Sequence, residues 1–201
     1  MYNFKELEPL AESDIEYPKS EPYKLCTFSR VMKEKGIEDA INAVESVNAH
    51  FGRTVYTLDI FGQVDVEYKE RFSQLEKSFP DYISYGGAIE ANKSIETLKS
   101  YFALLFPTYY KGEGFAGTLI DAMSAGVPVI ASDWKYNPEF VVPGKTGVII
   151  KNCNAERLAE ELINIAVAPE KWNSMRLSAL KESEKYRPDI AARPLIDRIN
   201  G

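Results

Sequence analysis

FALLFPTYYKGEGFAGTLIDAMSAGVPVIA, residues 102–131, is the stretch from which the fold can be read. An apolar run at 102–107 gives way to a loop holding Gly112, Gly114 and Gly117. A helix follows from about Ala116 to Ser124, with Leu119, Ile120, Ala122 and Met123 among its apolar residues, and then a second apolar run at 127–131. Short apolar runs without polar alternation read as strands buried on both faces, the signature of a parallel sheet covered by helices. The same alternation extends outward. A strand at 23–28 precedes Gly36 and a helix whose Ile37, Ala40, Ile41, Val44 and Val47 recur at three-and-four spacing. A strand at 55–61 ended by Gly62, a helix through Phe72 and Leu75, a short strand at 82–85 before Gly86 and Gly87, and a helix near 94–101 lead back to the opening stretch.

Beyond 147–150 the sequence is mostly helical, with Leu158, Leu162 and Ile165 on one face and Trp172, Met175 and Ala179 forming another amphipathic segment. The reading is therefore α/β: a doubly wound parallel sheet in a single domain with a helical C-terminal tail. Residues 1–22, broken by Pro9, Pro18 and Pro22, read as a linker or inter-domain hinge; 23–166 as the domain; and 167–201 as a helical segment and tail.

Composition narrows the function. The 201 residues suit one sizeable domain, and 45% hydrophobic with 27% charged residues is ordinary for a globular protein. A net charge of −6 argues against general nucleic-acid or anionic-membrane binding, although a small phosphate ligand needs only a local basic pocket. Cys26 and Cys153 lie far apart and His50, the one histidine, falls near the end of a helix, so neither a metal site nor a disulfide scaffold is expected. No apolar run is long enough to span a bilayer and the first residues lack a signal-peptide pattern, so a cytoplasmic location is expected.

Ligands of doubly wound sheets bind at the carboxyl ends of the strands, which directs attention to the loops after Phe28, Phe61, Tyr85 and Pro107. In the last of these, small residues let backbone N–H groups approach an anion, and the helix opening near Ala116 aims its positive end at the same place. Taken alone, this is also what a glycine-rich turn between a strand and a helix looks like. Glu113 before the helix and Asp121 inside it are too far apart for an adjacent acid pair, and suit different parts of one extended ligand. After the first strand, Ser29-Arg30-Val31-Met32-Lys33-Glu34-Lys35-Gly36 brings two cations to the same sheet edge, where a guanidinium and an ammonium can together neutralise a diphosphate.

These clusters, in this order, resemble glycosyltransferase family 4, the retaining group within the two-Rossmann-domain glycosyltransferase fold. The resemblance runs from Tyr23 to Ala166 and includes Ala125-Gly126-Val127-Pro128-Val129-Ile130-Ala131-Ser132-Asp133, Pro138-Glu139 and Thr146-Gly147. It implies that Arg30 and Lys35 hold the donor diphosphate and that Glu113 contacts the transferred sugar. It also implies that Gly114, Phe115, Ala116, Gly117, Thr118 and Leu119 line the donor with backbone amides, and that Asp121 stands where a second glutamate binds ribose hydroxyls. Gly62 and the loop at Gly87-Ala88-Ile89 complete the expected donor contacts. Asp121 is one methylene shorter than the usual glutamate, and Ala116 replaces a usual glycine. The resemblance further implies an N-terminal acceptor-binding domain beyond this chain, with peripheral membrane association through it, a nucleoside diphosphate sugar as donor substrate rather than a cofactor, and no metal requirement. Asp65-Val66-Glu67 reads as an exposed cap rather than a metal motif.

Two other readings remain at this point. Gly112-Glu113-Gly114-Phe115-Ala116-Gly117 matches G-x-G-x-x-G with Asp133 at the end of the next strand, as a dinucleotide-binding oxidoreductase would have it, but four residues separate the apolar run from the first glycine and Glu113 would oppose a pyrophosphate. A nucleotide-binding module without catalysis would share the donor site and lack turnover.

Overall fold

The structure, a computed structural model, describes residues 8–193. Six strands, β1 (Tyr23–Phe28), β2 (Tyr56–Phe61), β3 (Ile83–Gly87), β4 (Ala103–Phe106), β5 (Val129–Ser132) and β6 (Gly147–Ile150), form one sheet in the order β3-β2-β1-β4-β5-β6. Every pairing is parallel. The doubly wound α/β expectation holds, and the chain reverses its direction of travel across the sheet between β1 and β4. That switch point opens a crevice beyond the carboxyl ends of those two strands.

The helices are α1 (Ile37–Phe51), α2 (Lys69–Glu76), α3 (Ser94–Leu98), α4 (Gly117–Ser124), α5 (Asn137–Phe140), α6 (Ala155–Val167), α7 (Pro169–Asn173), α8 (Arg176–Ser183) and α9 (Pro188–Ala191). On one face α1 and α6 pack together over Leu25, Leu58 and Ile60, contributing Ile37, Val44, Leu158 and Leu162. On the other, α4 and α8 meet over Leu104 and Phe106 with Leu119, Met123 and Ala179. Each such buried aliphatic side chain stabilises the fold by about 1.5–3 kcal/mol, and the alternation of faces along β1 and β4 divides the core into these two layers.

Several boundaries differ from the sequence expectation for identifiable reasons. The strand expected from 127 begins at Val129, because the Val127 N–H turns back to the Ala122 carbonyl at 2.8 Å to close α4 and Pro128 has no N–H to give. The helix expected over 94–101 stops at Leu98, and the Lys99 and Tyr101 carbonyls beyond it are taken by the Arg176 guanidinium at 3.1 and 2.9 Å. The third strand continues to Gly87 rather than ending at Tyr85.

The stretch expected to be a linker is, from residue 8 on, laid against the body. The Leu10 N–H donates to the Ser124 carbonyl at 2.9 Å, Ile15 is buried, and the Asn173 amide donates to the Pro18 carbonyl at 2.7 Å. Of the C-terminal segment, the part up to residue 193 is helical and packed, with the Trp172 indole N–H donating to the Phe102 carbonyl at 3.0 Å. Arg193 is its last described residue; Pro194 and Leu195 lie outside the described residues. His50 is exposed in the last turn of α1, as its position suggested.

Candidate functional site

Beyond β1 the chain keeps pairing with the segment after β2. The Val31 N–H donates to the Gln63 carbonyl and the Asp65 N–H to the Val31 carbonyl, both at 2.9 Å, which holds Arg30 at the rim of the crevice. A single turn over Lys33–Lys35 follows, ended by Gly36 at φ +72°. A Cβ at Gly36 would lie 2.4 Å from the Pro107 carbonyl oxygen, so only glycine allows this loop to lie against the loop after β4. The Tyr109 N–H fastens the contact by donating to the Glu34 carbonyl at 2.8 Å. Lys35 is thereby carried to Glu113, 78 residues later.

The opposite wall is the start of α4. The Thr118 hydroxyl donates to the Phe28 carbonyl at 2.7 Å, tying the first turn of α4 to the end of β1. No side chain caps the helix at Ala116, and α4 therefore presents its positive end to the cleft without an internal acceptor from a capping residue. The cleft measures about 240 Å³ and is lined by Phe28, Ser29, Arg30, Lys35, Phe106, Glu113 and residues 115–118.

Its two cations are held differently. The Lys35 ammonium sits 2.6 Å from Glu113 Oε2, with side-chain exposures of 10% and 9%, and lies 5.4 and 5.3 Å from the ring centres of Phe106 and Tyr110. Arg30 meets Asp65 Oδ2 at 3.3 Å with 48% of its side chain exposed, and its guanidinium lies 5.5 Å from the centre of the same Tyr110 ring. An exposed pair such as Arg30–Asp65 stabilises by about 0–1 kcal/mol and exchanges its carboxylate readily for a ligand. The sheltered Lys35–Glu113 pair is poorly screened, and removing either member leaves a charge in a desolvated place.

Of the residues expected in the donor site, the structure gathers Arg30, Lys35, Glu113, Phe115, Ala116, Gly117 and Thr118 around one cleft, with Gly114 in the same loop. The Gly117 N–H donates to the Phe115 carbonyl at 3.1 Å and the Leu119 N–H to the Ala116 carbonyl at 3.0 Å, so these two amides close the first turn. The Leu119 side chain is core. Asp121 lies inside α4, 4% exposed, and is not part of the cleft wall. Gly62, at φ +136°, has a task in the backbone: a Cβ there would stand 1.7 Å from the Ser29 carbonyl oxygen, and its own carbonyl accepts from the Tyr85 hydroxyl at 2.9 Å. Ile89 packs against the second core layer, outside the lining. Asp65 caps the turn at Val66–Tyr68 by accepting from the Glu67 N–H at 3.1 Å, the cap role read from the sequence.

Three residues escaped the sequence reading. Thr108, 1% exposed, donates its hydroxyl to Glu113 Oε2 at 2.7 Å. Tyr110 places its ring beside both cations, and the Trp134 indole N–H holds the Tyr110 carbonyl at 2.8 Å. The apolar run into Pro107 marks where this loop begins, but no local signal shows that the Thr108 hydroxyl turns to Glu113 or the Tyr110 ring to the two cations.

The G-x-G-x-x-G match follows β4 rather than β1, residues 107–111 separate it from the strand, and Glu113 within it is paired with Lys35. A tight first βα turn approaching a pyrophosphate is thus absent here, and the oxidoreductase reading finds no support. Comparison with known proteins points elsewhere. Over 139 residues the chain is 33% identical to the UDP-N-acetylglucosamine–peptide N-acetylglucosaminyltransferase GtfA subunit of Streptococcus gordonii, covering 68% of this chain and 26% of that protein. It spans 26–36% of the length of the first curated relatives it matches. The fold is shared with the pneumococcal O-GlcNAc transferase GtfA solved with UDP and GlcNAc, at a TM-score of 0.72 and 23% identity over 89% of this chain and 35% of that one. It is also shared with the C-terminal domain of a glycosyl transferase group 1 family protein from Francisella tularensis, at a TM-score of 0.69 and 18% identity over 89% of this chain and 99% of that domain. The sequence profile described as Glycosyl transferases group 1 matches residues 11–181, and the chain belongs to that family.

Proposed function

We propose that this chain is the donor-binding part of a retaining glycosyltransferase that moves a sugar from a nucleoside diphosphate sugar to an acceptor hydroxyl. The observation that carries the reading is the convergence, at the β1–β4 switch point, of Arg30, Lys35, Glu113 and the uncapped start of α4 on one cleft. In such a transfer the bond between the anomeric carbon and the diphosphate oxygen breaks, and negative charge grows on the departing diphosphate. Two cations and a helix N-terminus aimed at that oxygen stabilise it electrostatically, with little reorganisation at the moment of reaction.

Glu113, held by Lys35 and Thr108, faces the sugar. The amides of Phe115, Ala116 and Thr118 meet the phosphates, and Asp121 takes the ribose hydroxyls. The charge compensation rests on these groups and needs no metal. An acceptor-binding domain supplies the other wall of the reaction cleft; the fraction of its relatives' length that this chain spans supports that expectation. Cytoplasmic residence is supported by two free cysteines, Cys26 and Cys153, and no described helix is long and apolar enough to cross a membrane.

A thermal-shift panel tests the reading, because a ligand of the native state raises its stability. Nucleoside diphosphates and sugar nucleotides should raise the Tm and nicotinamide dinucleotides should not. A response confined to the nicotinamide compounds overturns it.

A further inference from the structure

Both contacts to the Glu113 carboxylate converge on a single oxygen. Lys35 Nζ lies 2.6 Å and Thr108 Oγ1 lies 2.7 Å from Oε2, and among the described residues no hydrogen bond or ion pair reaches Oε1. Glu113 nevertheless lines the cleft. A carboxylate that accepts a charge-assisted bond and a hydroxyl bond at one oxygen has lost its rotational freedom, and its second oxygen has a fixed direction.

Thr108 is itself fixed from three sides. It follows Pro107, which rests against Gly36. Its carbonyl accepts from the Ser132 hydroxyl at 2.5 Å, and Ser132 is in turn engaged by the Asn137 amide, which donates to the Ser132 carbonyl at 3.1 Å. Its Oγ1 accepts from the Tyr110 N–H at 3.2 Å. With that lone pair occupied by an amide, the hydroxyl proton is directed to Glu113 in preference to the Glu34 carbonyl, which stands farther away at 3.3 Å and already accepts from the Tyr109 N–H.

We infer that Thr108 is a positioning residue for donor-sugar recognition: its hydroxyl, with the Lys35 ammonium, holds Oε2 of Glu113 so that Oε1 alone accepts a hydroxyl of the transferred sugar. The inference rests on the reading of Glu113 as the sugar-facing group. Thr108 touches no substrate. It acts by removing the alternative orientations of a carboxylate that would otherwise have to be ordered when the sugar arrives.

The experiment measures, by calorimetry on the full chain, the ratio of affinities for a sugar nucleotide and its parent diphosphate, using UDP-N-acetylglucosamine against UDP and GDP-mannose against GDP. The pair that binds is carried through Glu113→Gln, Thr108→Val and Thr108→Ser. Thr108→Val keeps the side-chain shape and removes the hydroxyl; it should lower the ratio by about three- to tenfold, less than the loss of a direct bond to a charged group because Thr108 acts through Glu113. Thr108→Ser, which restores the hydroxyl, should bring the ratio back to within about twofold of wild type; a role in packing alone would predict the reverse order, with Val tolerated and Ser harmful. A ratio lowered by Glu113→Gln but kept by Thr108→Val overturns the role of Thr108. A wild-type ratio that Glu113→Gln does not change, or neither pair binding, overturns the reading of Glu113 on which the inference stands.

Discussion

The two ends of the sheet use cations in opposite ways. At the amino ends of the strands, Arg176 on α8 is fully buried, and its guanidinium donates to the Tyr101 and Lys99 carbonyls at 2.9 and 3.1 Å with no carboxylate among its hydrogen-bond partners. Burial pushes its pKa down to about 10. At the carboxyl ends, Lys35 and Arg30 each face a carboxylate, lie beside Tyr110 and reach a cleft open to solvent. A buried cation held by backbone carbonyls has no carboxylate to exchange and serves the fold. Beside the cleft, Arg30 can trade its exposed Asp65 for an anion, and Lys35, while holding Glu113, keeps further N–H donors for one; both serve a ligand.

The largest effect expected from this contrast is on stability. Arg176→Leu leaves the Tyr101 and Lys99 carbonyls without their donors, each costing about 1–3 kcal/mol, so urea denaturation should show a loss of about 2–6 kcal/mol while the folded protein binds nucleoside diphosphate as before. A loss of binding by the folded variant would break the division between the two ends.

Lys35→Met should strike binding, beyond the stability lost by leaving Glu113 unpaired. Charge-assisted contacts contribute roughly 1.5–3 kcal/mol, or about ten- to a hundredfold in affinity, and calorimetry should show that loss for a nucleoside diphosphate with little change for the bare nucleoside. Equal losses for both ligands would mean that Lys35 supports the cleft's shape rather than meeting phosphate.

Arg30→Ala, at a half-exposed guanidinium, should cost less, about three- to tenfold in diphosphate affinity, and the loss should shrink as salt rises from low to physiological strength because exposed charges are screened over about 8–10 Å. A salt-independent loss would place Arg30 in a more sheltered contact than its exposure indicates.

The smallest effect concerns Asp121. Asp121→Asn should reduce discrimination between ribo- and deoxyribonucleotides, since a carboxylate accepts from both hydroxyls and an amide accepts at one atom only. Its burial inside α4, away from the cleft wall, keeps the expected effect small, and a wild type that binds both sugars equally would remove the assignment.

How much of this was legible in the sequence follows from the range over which each signal acts. The strands were visible because FALLF at 102–106 and VPVIA at 127–131 have no polar alternation, a property of the local chain. The two donor-loop clusters were visible as residue types in order. Their meeting was not, because the Gly36–Pro107 approach that joins Lys35 to Glu113 depends on a backbone conformation and on loops 78 residues apart. Thr108 gives no local sign of its role, since a threonine after Pro-ended apolar sequence is an ordinary turn residue. Arg176 was hidden for the opposite reason: an arginine in a helix is expected in solvent, and only the carbonyls left at the end of α3 explain its burial. Strand ends shifted by one or two residues where a helix-closing bond, such as Val127 to Ala122, competed with the sheet.

The central claim, that a nucleoside diphosphate lies in the cleft between the ends of β1 and β4, is tested most directly by a crystal structure of the chain with UDP or GDP. The account predicts phosphate oxygens within hydrogen-bond distance of Arg30, Lys35 and the N–H groups of Phe115, Ala116 and Thr118, with the Arg30–Asp65 pair opened. Diphosphate bound instead at the larger hollow of about 470 Å³ between Tyr17, Tyr23 and Asn173, at the other end of the sheet, or bound in the cleft without contact to either cation, would contradict it.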